Sequence, residues 1–153
     1  MDFGLSQDQV LLKDTIRRWL EAECPPPRVR AIMESPAGHD PALWEGLAAL
    51  GVAGLHVPVA HGGSGLELLD VALAAEELGW ACTPGPFLAC ALATAALVAG
   101  GTDEAQARWL PAIAHGRARG NGQMPAQIYT GRDADDVASF VAKAVGTSKA
   151  AGG

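Results

Sequence analysis

The segment from Leu55 to Trp80 constrains the fold of this chain most strongly. A proline-containing turn leads into Gly62-Gly63-Ser64-Gly65, and an apolar helical pattern then runs over residues 66–78 until Gly79 closes it. Glycine accepts the positive φ angles of tight turns, and leucines at helical spacing bury one side of a helix. The segment therefore predicts a tight turn followed by a strong helix.

The composition favours packed helices over a sheet. Ala, Leu and Gly dominate the 153 residues, Val and Ile are scattered, and only 5% of residues are aromatic. Alanine and leucine favour helices, whereas β-branched and aromatic residues favour strands. Because 49% of residues are hydrophobic, a chain of this length can bury a sizeable core. We therefore expect an all-α fold.

Capping signals place several helix starts. Ser6 and Gln9 form a capping-box pattern, Asp40 precedes a proline, and Thr102 precedes two acidic residues. Residues 86–98 are apolar nearly all round, which predicts a central helix that is buried on most sides. Pro111 is expected to restart a short helical piece that runs to about Gly116.

Several classes of function are disfavoured. The net charge is −6 without a basic block, so we expect no nucleic-acid partner. The most apolar stretch, residues 86–99, is too short to span a bilayer, and the start lacks the pattern of a secretory signal. Cys24, Cys82 and Cys90 match no metal spacing, which favours reduced thiols in a cytoplasmic protein.

Five short motifs occur in order along the first three-quarters of the chain. They are the Trp-containing helix that ends in LAALGVAGL, the Gly62–Gly65 turn, Glu76-Glu77-Leu78-Gly79, Pro84-Gly85-Pro86-Phe87, and Arg108-Trp109-Leu110-Pro111. In this order and spacing, residues 1–119 resemble the amino-terminal helical domain of the acyl-CoA dehydrogenases. The resemblance implies an orthogonal bundle of about six helices, to which this chain adds one carboxy-terminal helix over residues 133–145.

The resemblance also implies an activity and its limits. Acyl-CoA dehydrogenases oxidise an acyl-CoA thioester between its α and β carbons, and FAD takes the hydride. In the family the flavin and the carboxylate base belong to a β-domain and a carboxy-terminal bundle. We therefore expect a truncated, catalytically silent fragment without catalytic, cofactor-binding or metal-binding residues. Glu67, Glu76 and Glu77 are interpreted as solvated surface or capping groups.

In the family this domain contributes one wall of the acyl channel. By resemblance, the wall begins where the 66–78 helix turns into the next one, and the predicted substrate-binding residues are Thr83, Phe87, Leu88 and Ala91. Apolar side chains suit an acyl tail, which binds by losing contact with water. The alternative is that these side chains simply fill the core. The Pro-Gly-Pro-Phe-Leu form resembles the branch that handles bulky acyl-CoA substrates, including sterol side chains, in heteromeric assemblies.

The tail has a different character. Residues 120–146 resemble the carboxy-terminal end of a small c-type cytochrome, in which Met124-Pro125 would supply a haem ligand, and residues 147–153 are expected to be disordered. Covalent haem attachment needs C-x-x-C-H, and this chain has no such run. We therefore expect no haem.

Three hypotheses remain. The first is a detached dehydrogenase domain, whose parent binds FAD and acyl-CoA. The second is a helical assembly module that forms a homo- or hetero-oligomer through the face that would otherwise meet the β-domain. The third, an electron-transfer remnant, depends on the tail alone. Gly62–Gly65 is interpreted as a tight turn and not as a nucleotide-binding loop, because no strand-turn-helix fingerprint surrounds it.

Overall fold

In a computed structural model, residues 4–116 are described, and they belong to a unit that covers Met1–Ala118. These residues form six α-helices and two short 3₁₀ turns, without a strand among them. The α-helices are α1 (Gln7–Glu23), α2 (Pro26–Glu34), α3 (Pro41–Ala49), α4 (Leu68–Trp80), α5 (Phe87–Gly100) and α6 (Asp103–Ala114). The 3₁₀ turns cover Val52–Gly54 and Val59–His61. The expected all-α fold with about six helices is confirmed.

Other predictions lie outside the described residues. They are the boundary at residue 119, the helix over residues 133–145, the Met124-Pro125 motif and the disordered end.

The predicted helix caps are present. The Ser6 hydroxyl accepts a hydrogen bond from the Gln9 amide at 3.2 Å, while the Gln9 side chain accepts one from the Ser6 amide at 3.0 Å. Asp40 accepts from the Ala42 amide at 2.9 Å, and the Thr102 hydroxyl accepts from the Ala105 amide at 3.2 Å. Each cap satisfies an amide that the first helical turn leaves unpaired.

Two groups of apolar side chains make up the core. The larger group includes side chains of the first four helices and of the first 3₁₀ turn, and its largest fully buried side chains are Ile16, Leu20, Leu43, Leu47 and Val52. The smaller lies around α6 and consists of Val57, Leu97, Leu110 and Ala114, with partly buried neighbours. Leu97 of α5 belongs to the smaller group, and Phe87 and Cys90 near the start of α5 pack against the larger one.

The glycine-rich turn is a tightly bonded loop. The Ser64 amide donates to the Gly54 carbonyl at 3.0 Å, and the Gly65 amide donates to the Val57 carbonyl at 2.8 Å. A Cβ atom on Gly63 would collide with the Val57 carbonyl oxygen. The backbone therefore approaches itself too closely at this position for any other residue.

Two helix limits differ from the prediction. α4 begins at Leu68, where the Glu67 amide donates to the Asp70 carboxylate at 3.0 Å, and it continues through Gly79 to Trp80. Glycine inside a helix costs only about 1 kcal/mol, so the packing of α4 outweighs it. α6 is continuous, and Pro111 lies inside it instead of restarting it. The buried Leu110 and Ala114 on either side of Pro111 keep that last turn helical.

The prediction that α5 is buried on most sides is wrong within the described residues. Only Thr94 and Leu97 of this helix are buried, whereas Leu88 and Leu92 are 65% and 63% exposed. Uniform apolarity shows that a helix lacks a preferred polar side, but it does not show which neighbours are present. α5 therefore lies at the edge of the described bundle with one face open.

Candidate functional site

The connection between α4 and α5 is fixed by backbone hydrogen bonds. The Cys82 amide donates to the Gly79 carbonyl at 3.0 Å, and the Thr83 amide donates to the Leu78 carbonyl at 2.9 Å. Cys82 has a φ of 49°, a left-handed value that few non-glycine residues adopt. This turn reverses the chain at a defined point and sets the residue at which α5 begins.

The structure brings together two of the four predicted site residues. Phe87 and Ala91 line one crevice, and Leu88 projects outward from the same end of α5. Thr83 is not among the lining residues. Its hydroxyl oxygen is buried and has no hydrogen-bond partner among the described residues.

The crevice is small. Its volume is about 10 Å³, close to the space for one water-sized group. The lining residues come from the first 3₁₀ turn, the two residues after it, α4 and α5, and they are Val52, Ala53, Leu55, His56, Val71, Phe87, Ala91 and Thr94. A pocket that encloses a whole ligand takes a few hundred Å³. The described residues therefore form an open apolar surface with a small crevice in it and do not enclose a pocket.

Two polar side chains line this crevice, and sequence reasoning did not select either. His56 Nδ1 lies 2.8 Å from the Leu66 carbonyl oxygen, and the Thr94 hydroxyl donates to the Cys90 carbonyl at 2.8 Å. A helical threonine that bonds back to the residue four positions earlier is common. The signal in the sequence was one threonine inside an otherwise apolar helix.

The open face beside the crevice is apolar and uncharged. α5 carries no Asp, Glu, Lys or Arg, and Leu88 and Leu92 stand one turn apart on its outer side. Leu68 of α4 is also exposed, one turn before the crevice residue Val71. Exposed leucines beside the crevice are suited to bind an apolar group or another protein surface.

Glu77 is not the solvated group expected from the sequence. Its side chain is 2% exposed and forms an ion pair with Arg17, while Lys13 lies 3.4 Å away. The Arg17 guanidinium hydrogen bond holds the pKa of Glu77 below its ordinary value, although burial acts in the opposite direction. The guanidinium also stacks over the Trp80 ring, 3.8 Å from its centroid. These contacts join α1 to α4 and give Glu77 a structural role.

The three cysteines are free thiols that differ in exposure. Cys24 is buried, Cys82 is exposed and Cys90 is half-buried, and none is in a disulfide. Burial raises the pKa of the Cys90 thiol, which favours the unreactive protonated form. Within residues 4–116, no group of three or more His, Cys, Asp or Glu side chains is arranged to hold a metal ion.

The glycine-rich turn does not fit a flavin or nucleotide pyrophosphate. Such a group is held by free backbone amides. Here the four amides of Gly62, Gly63, Ser64 and Gly65 all donate to carbonyl oxygens of the same loop. Residues 4–116 therefore provide no pyrophosphate cradle at this turn.

No helix in the described part of the chain is long and apolar enough to cross a membrane.

These features define a class: a helical domain with a closely bonded glycine turn and an open apolar face on α5. The profile of the acyl-CoA dehydrogenase N-terminal domain matches residues 6–117. The chain therefore belongs to the acyl-CoA dehydrogenase family, an FAD-dependent family of oxidoreductases, through this domain.

Curated relatives agree with this assignment. The chain is 43% identical to the acyl-CoA dehydrogenase IpdE2 of Mycolicibacterium smegmatis over 101 residues, which cover 65% of this chain and 32% of the relative. It is 38% identical to IpdE2 of Mycobacterium tuberculosis over 115 residues, 74% of this chain and 36% of the relative. The chain thus spans about a third of the length of these relatives.

Solved structures share the fold. The ChsE4-ChsE5 complex from Mycobacterium tuberculosis matches with a TM-score of 0.70 at 26% identity, over 76% of this chain and 32% of that one. The Tcur3481-Tcur3483 steroid ACAD G363A variant matches with a TM-score of 0.65 at 32% identity, over 74% of this chain and 31% of that one.

Proposed function

We propose that this domain supplies one wall of the acyl-binding channel of an FAD-dependent acyl-CoA dehydrogenase. The open apolar face of α5, with Leu88 and Leu92 exposed beside Phe87 and Ala91, carries the proposal. An acyl tail gains roughly 0.8 kcal/mol for each methylene that it buries against such a surface. Thr83 lies at the start of this wall, in the turn before α5.

Dehydrogenation of the acyl-CoA thioester is attributed to parts of the parent enzyme other than this domain. The glycine-turn amides are all bonded within their loop, and Glu77 is bonded to Arg17. We therefore propose that this chain alone neither holds FAD nor dehydrogenates a thioester. Purified protein should lack flavin absorbance and should fail to reduce a dye in the presence of acyl-CoA. A yellow, dye-reducing preparation would contradict this part of the proposal.

The wall is tested by placing a charge on it. In Leu88→Glu, a carboxylate stands where the acyl tail would lie, so calorimetric titration of the full chain should show about tenfold weaker binding of dodecanoyl-CoA. Acetyl-CoA, whose acyl group is too short to reach the wall, should be unaffected. Leu11→Glu is the control, because Leu11 is similarly exposed but lies on α1. Equal losses in the two variants would reject the wall.

A second candidate function is assembly with another dehydrogenase-like subunit. The same exposed leucines support it, since contiguous apolar faces commonly bind a partner. The matched ChsE4-ChsE5 structure is a complex, which supports a hetero-oligomer here. Light scattering across a concentration series tests self-association, and copurification with a dehydrogenase-like subunit tests pairing. A monomer at high concentration that captures no subunit would count against this function.

We also propose that the protein is cytoplasmic, because Cys24, Cys82 and Cys90 are all free thiols.

A further inference from the structure

The outer face of α5 has a graded pattern of side-chain size. Residues four positions apart lie on one face of a helix, and Leu88, Leu92, Ala96 and Gly100 form such a series. All four are exposed, and a Cβ atom added to Gly100 would meet no neighbouring atom within 4 Å. The face therefore bears two large side chains at its amino end and open space at its carboxy end.

This pattern is complementary to itself when two copies of α5 lie antiparallel. In a twofold pair centred between Leu92 and Ala96, Leu92 of each copy lies opposite Ala96 of the other, and Leu88 lies opposite Gly100. Large side chains then fill the space beside small ones in both directions. A parallel pair would instead set leucine against leucine and leave a gap at the other end.

Charge also favours a second copy as the occupant of this face. The chain has a net charge of −6, so two copies repel each other overall. α5 carries no Asp, Glu, Lys or Arg, and pairing through its outer face brings no charged side chains of α5 together. A charged partner would gain no ion pair with this helix.

The size of the face sets the strength of pairing. α5 has 14 residues, so it is about 21 Å long and, at a width of about 10 Å, offers about 200 Å². Stable complexes bury roughly 800 Å² on each partner. Pairing through α5 alone is therefore weak and reversible, which leaves the face available to a competing ligand.

We propose that two copies of this chain pair reversibly through antiparallel α5 helices and that acyl-CoA competes with this pairing. The competition rests on the proposed function, because the acyl tail and the second copy would both bury Leu88 and Leu92. One surface cannot bind both at once, so each occupant lowers the affinity for the other by the same factor. Pairing thus shields the apolar wall from water until an acyl-CoA displaces the second copy.

Sedimentation velocity of the full chain over a concentration series tests the pairing. We expect a monomer–dimer equilibrium, and Ala96→Leu should weaken the dimer about tenfold, because the added side chain collides with Leu92 of the second copy. Ala107→Leu is the control, since it adds the same side chain to an exposed position of α6 and should not change the equilibrium. Non-specific association of apolar surfaces predicts a tighter dimer for Ala96→Leu. That result, or a monomer at every concentration, would overturn the proposal.

Cysteine cross-linking tests the orientation of the two helices. Leu88→Cys and Gly100→Cys are made in a Cys82→Ser background, because Cys82 is exposed. A mixture of the two variants should form disulfide-linked dimers in air, since antiparallel pairing places positions 88 and 100 opposite each other. Leu88→Cys alone should not, since its two cysteines would lie about 18 Å apart along the helix axis. Equally efficient cross-linking of Leu88→Cys with itself would overturn the antiparallel arrangement.

Competition is measured by adding acyl-CoA to the full chain. Saturating dodecanoyl-CoA should raise the dimer dissociation constant at least tenfold, whereas acetyl-CoA should leave it unchanged. A dimer that persists with dodecanoyl-CoA bound would overturn the competition. If dodecanoyl-CoA binds but the chain is monomeric at every concentration, the pairing fails and the wall stands. If the chain pairs as described but binds no acyl-CoA, the pairing stands while the wall and the competition fail.

Discussion

At the scale of single residues, Gly63 is the glycine, among the described residues, at which an added Cβ atom would come closest to a neighbouring atom. A Cβ atom there would meet the Val57 carbonyl oxygen and side chain, and both belong to a loop held by several backbone bonds. The loop must move to admit a methyl group, and overpacking of this kind typically costs about 1–3 kcal/mol.

Gly63→Ala should therefore lower the free energy of unfolding by at least about 1 kcal/mol, as measured by urea denaturation. Gly79→Ala is the matched control, because Gly79 lies inside α4 and a Cβ there meets no atom within 4 Å. That variant should gain about 0.5–1 kcal/mol from helix propensity. Equal effects of the two changes would show that the loop is not closely packed.

Glu77 is the second sensitive residue. Its pKa lies below the ordinary value, so the ionised group stabilises the fold above about pH 4.5, and this contribution is lost as pH falls through the lowered value. Glu77→Gln should destabilise the protein by about 1–3 kcal/mol at pH 7 and by less near pH 3. Urea denaturation at both pH values measures the difference.

Glu76→Gln provides the control for this prediction. Glu76 pairs with Lys13 at 2.7 Å, but its side chain is 62% exposed, and exposed pairs contribute little. The difference in unfolding free energy between the wild type and Glu77→Gln should depend on pH. The same difference at both pH values would contradict the ionic role assigned to Glu77.

What the sequence predicts at this scale depends on distance along the chain. Ser6, Asp40 and Thr102 were identified as caps because a cap and the amide that it satisfies are two or three residues apart. Arg17 and Glu77 are 60 residues apart, so no local pattern reveals their ion pair.

At the scale of helices, α5 shows that helix formation can be predicted from the sequence while burial of the helix cannot. Its sequence predicts a helix correctly, since Ala and Leu fill it, but it predicts burial incorrectly. Burial depends on which surfaces a helix meets, and a helix without polar residues gives no sign of which side faces outward. Of the four predicted wall residues, Phe87 and Ala91 line the crevice, whereas Thr83 and Leu88 do not.

The orientation of α5 is tested by shortening leucines on its two sides. Leu97 is buried in the smaller core group, so Leu97→Ala should cost about 2–4 kcal/mol of unfolding free energy. Leu92 lies on the open face, and Leu92→Ala should change stability by less than about 0.5 kcal/mol. Thermal unfolding of both variants provides the comparison. A larger loss for Leu92 would mean that the face described as open is covered.

At the scale of the whole molecule, the short motifs were sufficient to identify the family, because they occur together in a fixed order and spacing, and the family profile matches the same region. The polar lining of the crevice was not predictable, since His56 and Thr94 are far apart in the chain and no local pattern relates them. The family match and the open apolar face of α5 are the two observations on which the proposed acyl-channel wall depends.

Photo-crosslinking tests this central claim most directly. The full chain is irradiated with a long-chain acyl-CoA that carries a diazirine at its terminal carbon, and the labelled peptides are mapped by mass spectrometry. The account predicts that label concentrates in residues 83–92 and is displaced by unmodified acyl-CoA but not by free CoA. Label spread evenly over exposed leucines such as Leu11 and Leu88, or label that acyl-CoA does not displace, would contradict it.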